Sequence, residues 1–278
     1  MKLARIVGAP MVHDKWPRIV SRIDTLCGMS PEPESHLLYE RQAQAYATCR
    51  PSYPPALFAY LAGLVERRLL AWDCATGNGQ AAVGLANHFQ RVVATDAAAQ
   101  QIERATPHER VTYRHLSAEA IDLADHSVDL VTVAQAVHWF ANDNFYKQVR
   151  RVLCPGGRIA VWCYFHPQVN AAIDAAMWTF YRSPALDPYW PASRQLVEDR
   201  YETLYFPFHE VTAPSFCMTE AWPYQRYADY LTTWPAPAKL SEVSPDKLAQ
   251  LLEPVAAAWG DLAALRTITW PLHLRVGY

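Results

Sequence analysis

Two short segments carry the residues with the clearest chemistry. The segment 69–80 ends an apolar run in a glycine-rich turn, where Gly77 and Gly79 leave the backbone open to a ligand. The helical pattern that follows would direct free backbone N–H groups at whatever binds there. A second apolar run ends in Asp96, at about the spacing from which a carboxylate can accept the two hydroxyls of a ribose. Together the segments predict a site for a nucleoside cofactor.

Asp73 separates two kinds of nucleoside cofactor. The segment 77–82 also satisfies the loose dinucleotide fingerprint G-x-G-x-x-G/A, so NAD has to be considered. Asp73 stands at the end of the first expected strand, where its charge would oppose a pyrophosphate and attract the sulfonium and ammonium groups of S-adenosylmethionine. We therefore expect S-adenosylmethionine ahead of NAD.

The composition favours a globular protein that acts on a small molecule. The chain has 278 residues, 51% of them hydrophobic, and a net charge of −2, so bulk electrostatics favour neither nucleic acid nor an anionic membrane. No apolar run reaches the roughly 20 residues that span a bilayer. The histidines and cysteines lack the spacing of a zinc site, so we expect no metal. We expect a cytoplasmic monomer or homodimer with a small-molecule substrate and no nucleic-acid or membrane partner.

Apolar strands alternate with helical stretches up to residue 166. A helix is expected at 57–70, and later strands at 92–95, 111–116, 128–134 and 158–164, the last after a Pro-Gly-Gly turn at 155–157. This alternation predicts an α/β fold, with a doubly wound parallel sheet and helices on both faces. In such a sheet ligands bind at the carboxyl ends of the strands, which would group Asp73, Asp96, Ser117 and Gln135 around one crevice.

After residue 166 the alternation stops, and the segment 167–237 is rich in aromatic residues and proline. Such a segment can be a packed apolar cover or can line a substrate pocket, and the two are compatible. A helix at 244–259 and a strand at 267–276 would return the chain to the sheet. We expect a flexible leader at 1–38, a cofactor-binding core at 39–166, a substrate-covering insertion with a late strand at 167–237, and a C-terminal helix and strand at 238–278 that complete the core.

Five motifs occur in an order typical of one enzyme family. They are Asp73-x-x-Thr76-Gly77-x-Gly79-Gln80, the strand-end Asp96, Val128-Asp129-Leu130-Val131, the segment 135–140 (QAVHWF) and the segment 151–157 (RVLCPGG). In this order they resemble the class I S-adenosylmethionine-dependent methyltransferases, with a methyltransferase type 11 domain. The segment 46–54, the Thr233-Trp234 pair and the segment 270–277 are similar to the branch of trans-aconitate methyltransferase.

The resemblance implies a Rossmann-like sheet of seven strands in the order 3-2-1-4-5-7-6, with the last strand antiparallel. It also implies roles for single residues toward the cofactor, S-adenosyl-L-methionine. Asp96 would hold the ribose, and Asp73, which belongs to the first motif, is counted among the cofactor-binding residues because of its charge. The other roles are a loop beside the methionine moiety (Ala75, Gly77, Gly79), a position near adenine (Ser117, Ala118, Glu119) and a position below the methionine end (Gln135).

The sequence departs from the family pattern at two places. Ala75 stands where the glycine loop usually has its first glycine, which adds one methyl group beside the methionine end. Ser117 and Ala118 stand where an aspartate often meets the adenine amino group, so that contact would come from a hydroxyl or from the backbone. Both departures concern cofactor affinity rather than cofactor identity.

Two residues are candidates for the transfer itself. His138 follows the fourth strand and is the best candidate for a general base, although the alternative that it forms a wall of the pocket together with Trp139 is favoured. A carboxylate acceptor would need no base, because its oxygen is already ionised at neutral pH. Arg50 is the preferred clamp for such a carboxylate. Arg182, Arg194 and Arg226 are alternative clamps.

The leading hypothesis is an S-adenosylmethionine-dependent methyltransferase that acts on an oxygen of a small molecule, such as a carboxylate. Nitrogen, sulfur and carbon acceptors stay open. One alternative is an NAD-dependent oxidoreductase that shares the doubly wound sheet. Another is a catalytically silent, methyltransferase-like binding protein.

Overall fold

A computed structural model describes residues 50–278 of the chain. The predicted leader at 1–38 and the first residues of the predicted core, 39–49, lie outside the described residues. One sheet of eight strands organises the described part. The strands are β1 (Leu70–Cys74), β2 (Arg91–Asp96), β3 (Val111–His115), β4 (Val128–Ala134), β5 (Leu153–Tyr164), β6 (Glu210–Val211), β7 (Phe216–Trp222) and β8 (Arg266–Gly277).

The strand order is β3-β2-β1-β4-β5-β8-β6, and β7 also pairs with β8. The first five strands are parallel, whereas β8 runs antiparallel to β5, β6 and β7. The topology implied by the resemblance, with an antiparallel last strand, is confirmed. The described sheet has eight strands instead of seven because the two-residue β6 pairs with the end of β8 in addition to β7.

Helices connect the strands and cover the sheet. Within residues 50–278 they are α1 (Pro55–Gly63), α2 (Gln80–Ala86), α3 (Ala99–Glu103), α4 (Asp143–Val152), α5 (Ala171–Tyr181), α6 (Arg194–Glu198), α7 (Tyr224–Thr232), α8 (Pro235–Val243) and α9 (Pro245–Trp259). Short 3-10 turns occupy Val137–Trp139 and Asp187–Tyr189. None of the described helices is both long and apolar enough to cross a bilayer.

The central strands are buried on both faces of the sheet. Every residue of β1 is buried. Along β5, Ile159 and Val161 belong to one apolar core while Ala160 and Trp162 belong to the other, because successive side chains point to opposite faces. Uninterrupted apolar strands are typical of parallel sheets with helices on both sides. The apolar runs in the sequence follow from this burial.

Two expected boundaries are wrong. α1 ends at Gly63 rather than at residue 70, and Leu70 already begins β1. The expected turn at 155–157 is part of β5. Gly156 has a φ of 81° there, and the pairing of β5 with β4 shifts register between Val128 and Leu130. This bulge-like irregularity lets a Pro-Gly-Gly segment remain within the strand.

Asp129 ties the start of β1 to β4 and β5. Its Oδ2 accepts hydrogen bonds from the backbone N–H groups of Leu69 at 2.7 Å and Leu70 at 3.0 Å. Its Oδ1 accepts a hydrogen bond from Cys154 Sγ at 3.3 Å and lies 3.1 Å from Arg67 Nε. A carboxylate can be buried at this place because both of its oxygens have donors.

We expect Asp129→Ala to lower the free energy of unfolding by about 2–4 kcal/mol, because it leaves the buried N–H of Leu70 and the thiol of Cys154 without their acceptor. Urea denaturation followed by circular dichroism measures the change. Asp125→Ala is the control, since it removes only an exposed ion pair with Arg151 and should cost less than about 1 kcal/mol. Equal losses in the two variants would contradict the assignment.

Candidate active site

The loop between β1 and α2 has a left-handed backbone at three positions. Ala75, Gly77 and Gly79 have φ values of 55°, 56° and 86°. Glycine adopts these values without steric cost, whereas alanine does so with strain. Asp96, at the end of β2, holds the loop: its Oδ2 accepts a hydrogen bond from Gly77 N at 2.8 Å and its Oδ1 accepts one from Ala98 N at 2.9 Å. The predicted loop and the predicted ribose carboxylate therefore lie together.

Asp73, near the end of β1, is fully buried below this loop. Its Oδ2 accepts a hydrogen bond from Thr76 Oγ1 at 2.5 Å, and its Oδ1 accepts one from Thr132 Oγ1 at 2.7 Å. Burial raises the pKa of Asp73 to about 6, and the charge of Asp96 adds to the rise, although the two hydroxyl hydrogen bonds oppose it. A cation bound nearby would favour the ionised carboxylate.

The residues expected near adenine follow β3. Leu116, just after β3, donates a backbone hydrogen bond from its N–H to the carbonyl oxygen of Asp96 at 3.0 Å. The next residue, Ser117, therefore lies beside the end of β2. Ala118 is buried. Glu119 Oε1 accepts a hydrogen bond from Asn142 Nδ2 at 3.1 Å, and the Asn142 side chain also caps α4. Contact of these three residues with adenine stays a prediction.

Gln80, the first residue of α2, joins the glycine loop to the proline-rich elbow before α1. Its Nε2 donates a hydrogen bond to Pro51 O at 3.1 Å, and its Oε1 accepts one from Tyr53 N at 3.2 Å. The same elbow carries Arg50, whose Nη1 donates to Tyr164 Oη at 3.1 Å. The side chain of Gln80 therefore connects the loop to the candidate carboxylate clamp.

Gln135 continues the pairing of β4 with β5 beyond the end of β4. Its Nε2 donates to Tyr164 O at 2.8 Å, and its Oε1 accepts a hydrogen bond from Tyr164 N at 2.8 Å. The backbone of Gln135 is left-handed, with a φ of 58°. Its amide therefore supplies the hydrogen bonds that the strand no longer provides, and the position below a methionine end stays a prediction.

His138 lies on the 3-10 turn after β4. Its Nδ1 is 2.8 Å from the hydroxyl of Tyr201. Burial lowers the pKa of His138 to about 3, so the imidazole is uncharged at neutral pH. A group with this pKa is a weak general base. The geometry favours His138 as a wall of the pocket over His138 as a base.

A cavity opens at the carboxyl ends of β4 and β5, where ligands bind in sheets of this type. Its largest group of lining residues is aromatic: Trp139, Tyr164, Phe165, Tyr181, Trp190, Tyr230 and Trp234. Its polar and charged lining residues are Arg50, Gln135, His138, Ser193 and Arg194. Within the described part of the chain, no aspartate or glutamate lines this cavity.

The cavity brings together two of the four arginines considered for a clamp. Arg50 and Arg194 both line it. The guanidinium carbon of Arg50 lies 5.2 Å from the centroid of the Tyr230 ring, within the range of a cation–π contact. Arg182 and Arg226 are not among the lining residues and stack on tryptophan rings elsewhere.

Arg194 is held in place by the aromatic cover. Its Nε lies 2.7 Å from Glu198 Oε1, one turn further along α6. The same carboxylate oxygen accepts a hydrogen bond from Tyr181 Oη at 2.6 Å. The guanidinium carbon of Arg194 is 4.9 Å from the centroid of the Trp190 ring. The charge of Arg194 is therefore balanced by Glu198.

Comparisons with known proteins agree on the family. The family described as a methyltransferase domain matches residues 72–161, which run from β1 to β5. A protein of Dictyostelium discoideum named as a methyltransferase is 30% identical over 240 residues, which are 84% of this chain and 91% of the relative. A solved structure from Anaeromyxobacter dehalogenans, described as a type II methyltransferase, is 40% identical and has a TM-score of 0.76. It covers 82% of this chain and 97% of its own. The chain belongs to the class I S-adenosylmethionine-dependent methyltransferases.

A third relative agrees with this assignment. It is a methyltransferase-like protein of Schizosaccharomyces pombe, 30% identical over 188 residues, which are 65% of this methyltransferase and 68% of the relative. The three similarities give no support to the NAD-dependent alternative. The narrower resemblance to trans-aconitate methyltransferase stays a prediction.

Sequence reasoning missed three contacts of the methyltransferase site. Tyr201, which bonds His138, lies 63 residues further along the chain, and no motif links the two. Thr132 reaches Asp73 because the two residues are register partners in β4 and β1, so the strand pairing is the signal that could have found it. Gln80 was recognised as part of a motif, but its bridge to the elbow depends on tertiary structure.

Gly79 and Gly77 provide a matched pair for testing the loop. A Cβ at Gly79 would lie 2.1 Å from Tyr113 Oη, whereas a Cβ at Gly77 would meet nothing closer than Gln101 Oε1 at 3.9 Å. We expect Gly79→Ala to lower the free energy of unfolding by about 2–4 kcal/mol, from left-handed strain plus the clash. Gly77→Ala should cost only the strain, about 1–2 kcal/mol. Urea denaturation compares them, and equal costs would show that the packing of Tyr113 is irrelevant.

Proposed function

We propose that this methyltransferase transfers the methyl group of S-adenosylmethionine to a carboxylate oxygen of a small molecule. The observation that carries the proposal is the place of Arg50. Its guanidinium lines an aromatic cavity at the carboxyl ends of the strands, on an elbow that Gln80 fastens to the glycine loop. A guanidinium fork matches a carboxylate with two hydrogen bonds.

The residues present fit the cofactor. Asp96 accepts backbone hydrogen bonds from Gly77 and Ala98 at the carboxyl end of β2, and a carboxylate oxygen can accept more than one hydrogen bond, so its position suits contact with a ribose hydroxyl. Near Gly77 the open space where a Cβ would stand leaves room for a ligand against the backbone. Asp73 and Asp96 together supply negative charge for a cationic ligand, which fits a sulfonium better than a pyrophosphate. When bound, the cofactor supplies the electrophilic methyl group.

The lining of the cavity favours an anionic acceptor over an amine. Arg50 would repel a cationic amine, and the described lining offers no carboxylate to attract one. A carboxylate nucleophile is already ionised at neutral pH and needs no base. This agrees with His138, which stays neutral because burial lowers its pKa to about 3. The remaining task of the protein is to hold the acceptor in line and dry, which can lower the barrier by as much as roughly 7–11 kcal/mol.

The cytoplasmic location, the monomeric or homodimeric state, and the division into leader, core and insertion remain predictions.

A catalytically silent binding protein is the alternative to an enzyme, and it would bind ligands without turnover. A methylation assay with carboxylic acids, followed by mass spectrometry of the methyl esters, separates it from the proposed enzyme.

Asp73 should make cofactor binding depend on pH. The carboxyl of the free protein is protonated below its pKa of about 6 and must lose that proton to attract a cation. We expect the affinity for S-adenosylmethionine to rise by up to about tenfold per pH unit below pH 6 and to level off above it. Isothermal titration between pH 5 and 7.5 measures this. Asp73→Asn should flatten the profile, whereas the exposed Asp122→Asn should preserve it. A wild-type profile that is already flat would exclude the role of Asp73.

Arg50→Gln should raise the KM for a carboxylic acid by about 10- to 100-fold, since it removes a charged hydrogen-bonding partner of the acceptor. Binding of S-adenosylmethionine should change less than about twofold, because Arg50 lies on the acceptor side. Steady-state kinetics and isothermal titration measure the two effects.

Arg182→Gln is the matched control for Arg50→Gln. It removes an arginine that stacks on Trp178, with the guanidinium carbon 4.7 Å from the ring centroid, and that does not line the cavity. The KM should stay unchanged in this variant. If both variants, or neither, raise the KM, the carboxylate clamp is wrongly assigned.

A further inference from the structure

We propose that Trp190 and Ser193 bind a second, uncharged polar group of the acceptor, at the end of the cavity away from Arg50. The acceptor is then a planar, largely apolar carboxylic acid with an oxygen at its far end, such as a hydroxylated aromatic acid, rather than a compact polycarboxylate. This inference rests on the proposed methyl transfer to a carboxylate, and it adds the class of acceptor.

The first argument is a pair of shielded polar atoms in the wall of the cavity. Trp190 Nε1 and Ser193 Oγ are both inaccessible to solvent, and neither has a hydrogen-bond partner among residues 50–278. Both residues line the cavity. Shielded donors are costly unless they are paired, and a turn of either side chain toward the cavity would let a ligand oxygen supply the partner. Trp222 Nε1 is shielded and unpaired too, but Trp222 does not line the cavity and belongs to the apolar core.

The second argument is the sequence of rings between Arg50 and these donors. Arg50 lies over the ring of Tyr230, whose centroid is 5.7 Å from that of Trp234. Trp234 is in turn 6.5 Å from Trp190, centroid to centroid. Three neighbouring rings therefore lead from the guanidinium of Arg50 to the indole of Trp190. A flat apolar body fits such a wall better than a chain of carboxylates.

The third argument is the charge at the far end. Arg194 stands there beside Trp190, but its guanidinium is paired with Glu198 at 2.7 Å. A second carboxylate of the acceptor would have to compete with Glu198 and would be repelled by it. A neutral oxygen meets no such competition and can accept from the indole N–H and the serine hydroxyl.

Three probe acids test the inference: 3-phenylpropenoic acid, its 4-hydroxy derivative, and a propene tricarboxylic acid. Rates of methyl-ester formation from S-adenosylmethionine give kcat/KM for each acid. Titrations of the acids with the protein saturated with S-adenosylhomocysteine give binding without turnover. We expect the 4-hydroxy acid to have the highest kcat/KM and the tightest binding.

The variants Ser193→Ala and Trp190→Phe test whether these two residues bind the oxygen at the far end of the acceptor. Each should weaken binding and raise the KM of the 4-hydroxy acid about 5- to 10-fold, and Ser193→Ala should change the values for the unsubstituted acid less than twofold. Trp190→Phe also alters the aromatic wall, so we expect its loss for the 4-hydroxy acid to exceed its loss for the unsubstituted acid. Ser241→Ala is the control, because that serine donates to Ala238 O and does not line the cavity. It should leave both acids unaffected.

The outcomes separate this inference from the proposed function. If the variants lose affinity selectively for the 4-hydroxy acid in the titrations, the inference is supported even when no methyl ester forms. The absence of methyl ester would in that case contradict only the proposed methyl transfer to carboxylates. Equal losses for the two aromatic acids would overturn the role of Trp190 and Ser193. Preference for the tricarboxylic acid, or no binding of either aromatic acid, would overturn the class of acceptor.

Discussion

The whole site depends on two carboxylates that fix a left-handed loop at the edge of a buried sheet. The loop would be strained on its own, because Ala75 adopts a φ of 55° without the freedom of glycine. Asp96 holds the loop from β2 through Gly77 N, and Asp73 holds it from β1 through Thr76 Oγ1. These bonds place two carboxylates below the loop. The interactions that hold the loop are therefore made by the same carboxylates to which we assign the attraction of a cationic ligand.

The aromatic cover of the cavity, which includes Tyr181, Trp190 and Trp234, is stabilised by different interactions. Its rings contact one another at centroid distances such as 4.7 Å between Tyr181 and Trp190 and 5.7 Å between Tyr181 and Trp234. Arginines stack on several of these rings, and such contacts contribute about 0.5–1 kcal/mol each where they are exposed. The cover is thus stabilised by many small, interchangeable contacts. The sheet edge beneath it is stabilised by a few specific hydrogen bonds.

This difference explains how much could be read from the sequence. The places of the strands and of the glycine loop followed from local signals, namely apolar runs, glycines and acids at strand ends. The order of the strands, by contrast, was implied by the resemblance to the methyltransferase family. Arg50 and Arg194 could be named as candidates, but nothing in their spacing showed that one cavity would hold them. The pairing of His138 with Tyr201 and that of Gln80 with the elbow join segments that are distant in the chain or lack a periodic pattern. The bounds of α1 and the bulged start of β5 depend on tertiary hydrogen bonds, which local propensity does not encode.

The bridge made by Gln80 has a thermodynamic consequence. Its amide touches the elbow with both ends, while its backbone begins the helix that follows the glycine loop. A cofactor that stiffens the glycine loop therefore also restricts the elbow. The elbow carries Arg50, the proposed clamp for the methyl acceptor. Coupling between two binding sites is reciprocal, so each ligand must change the affinity for the other by the same factor. On the proposed assignment of the two pockets, the hydrogen bonds of Gln80 give them a direct route to cooperative binding.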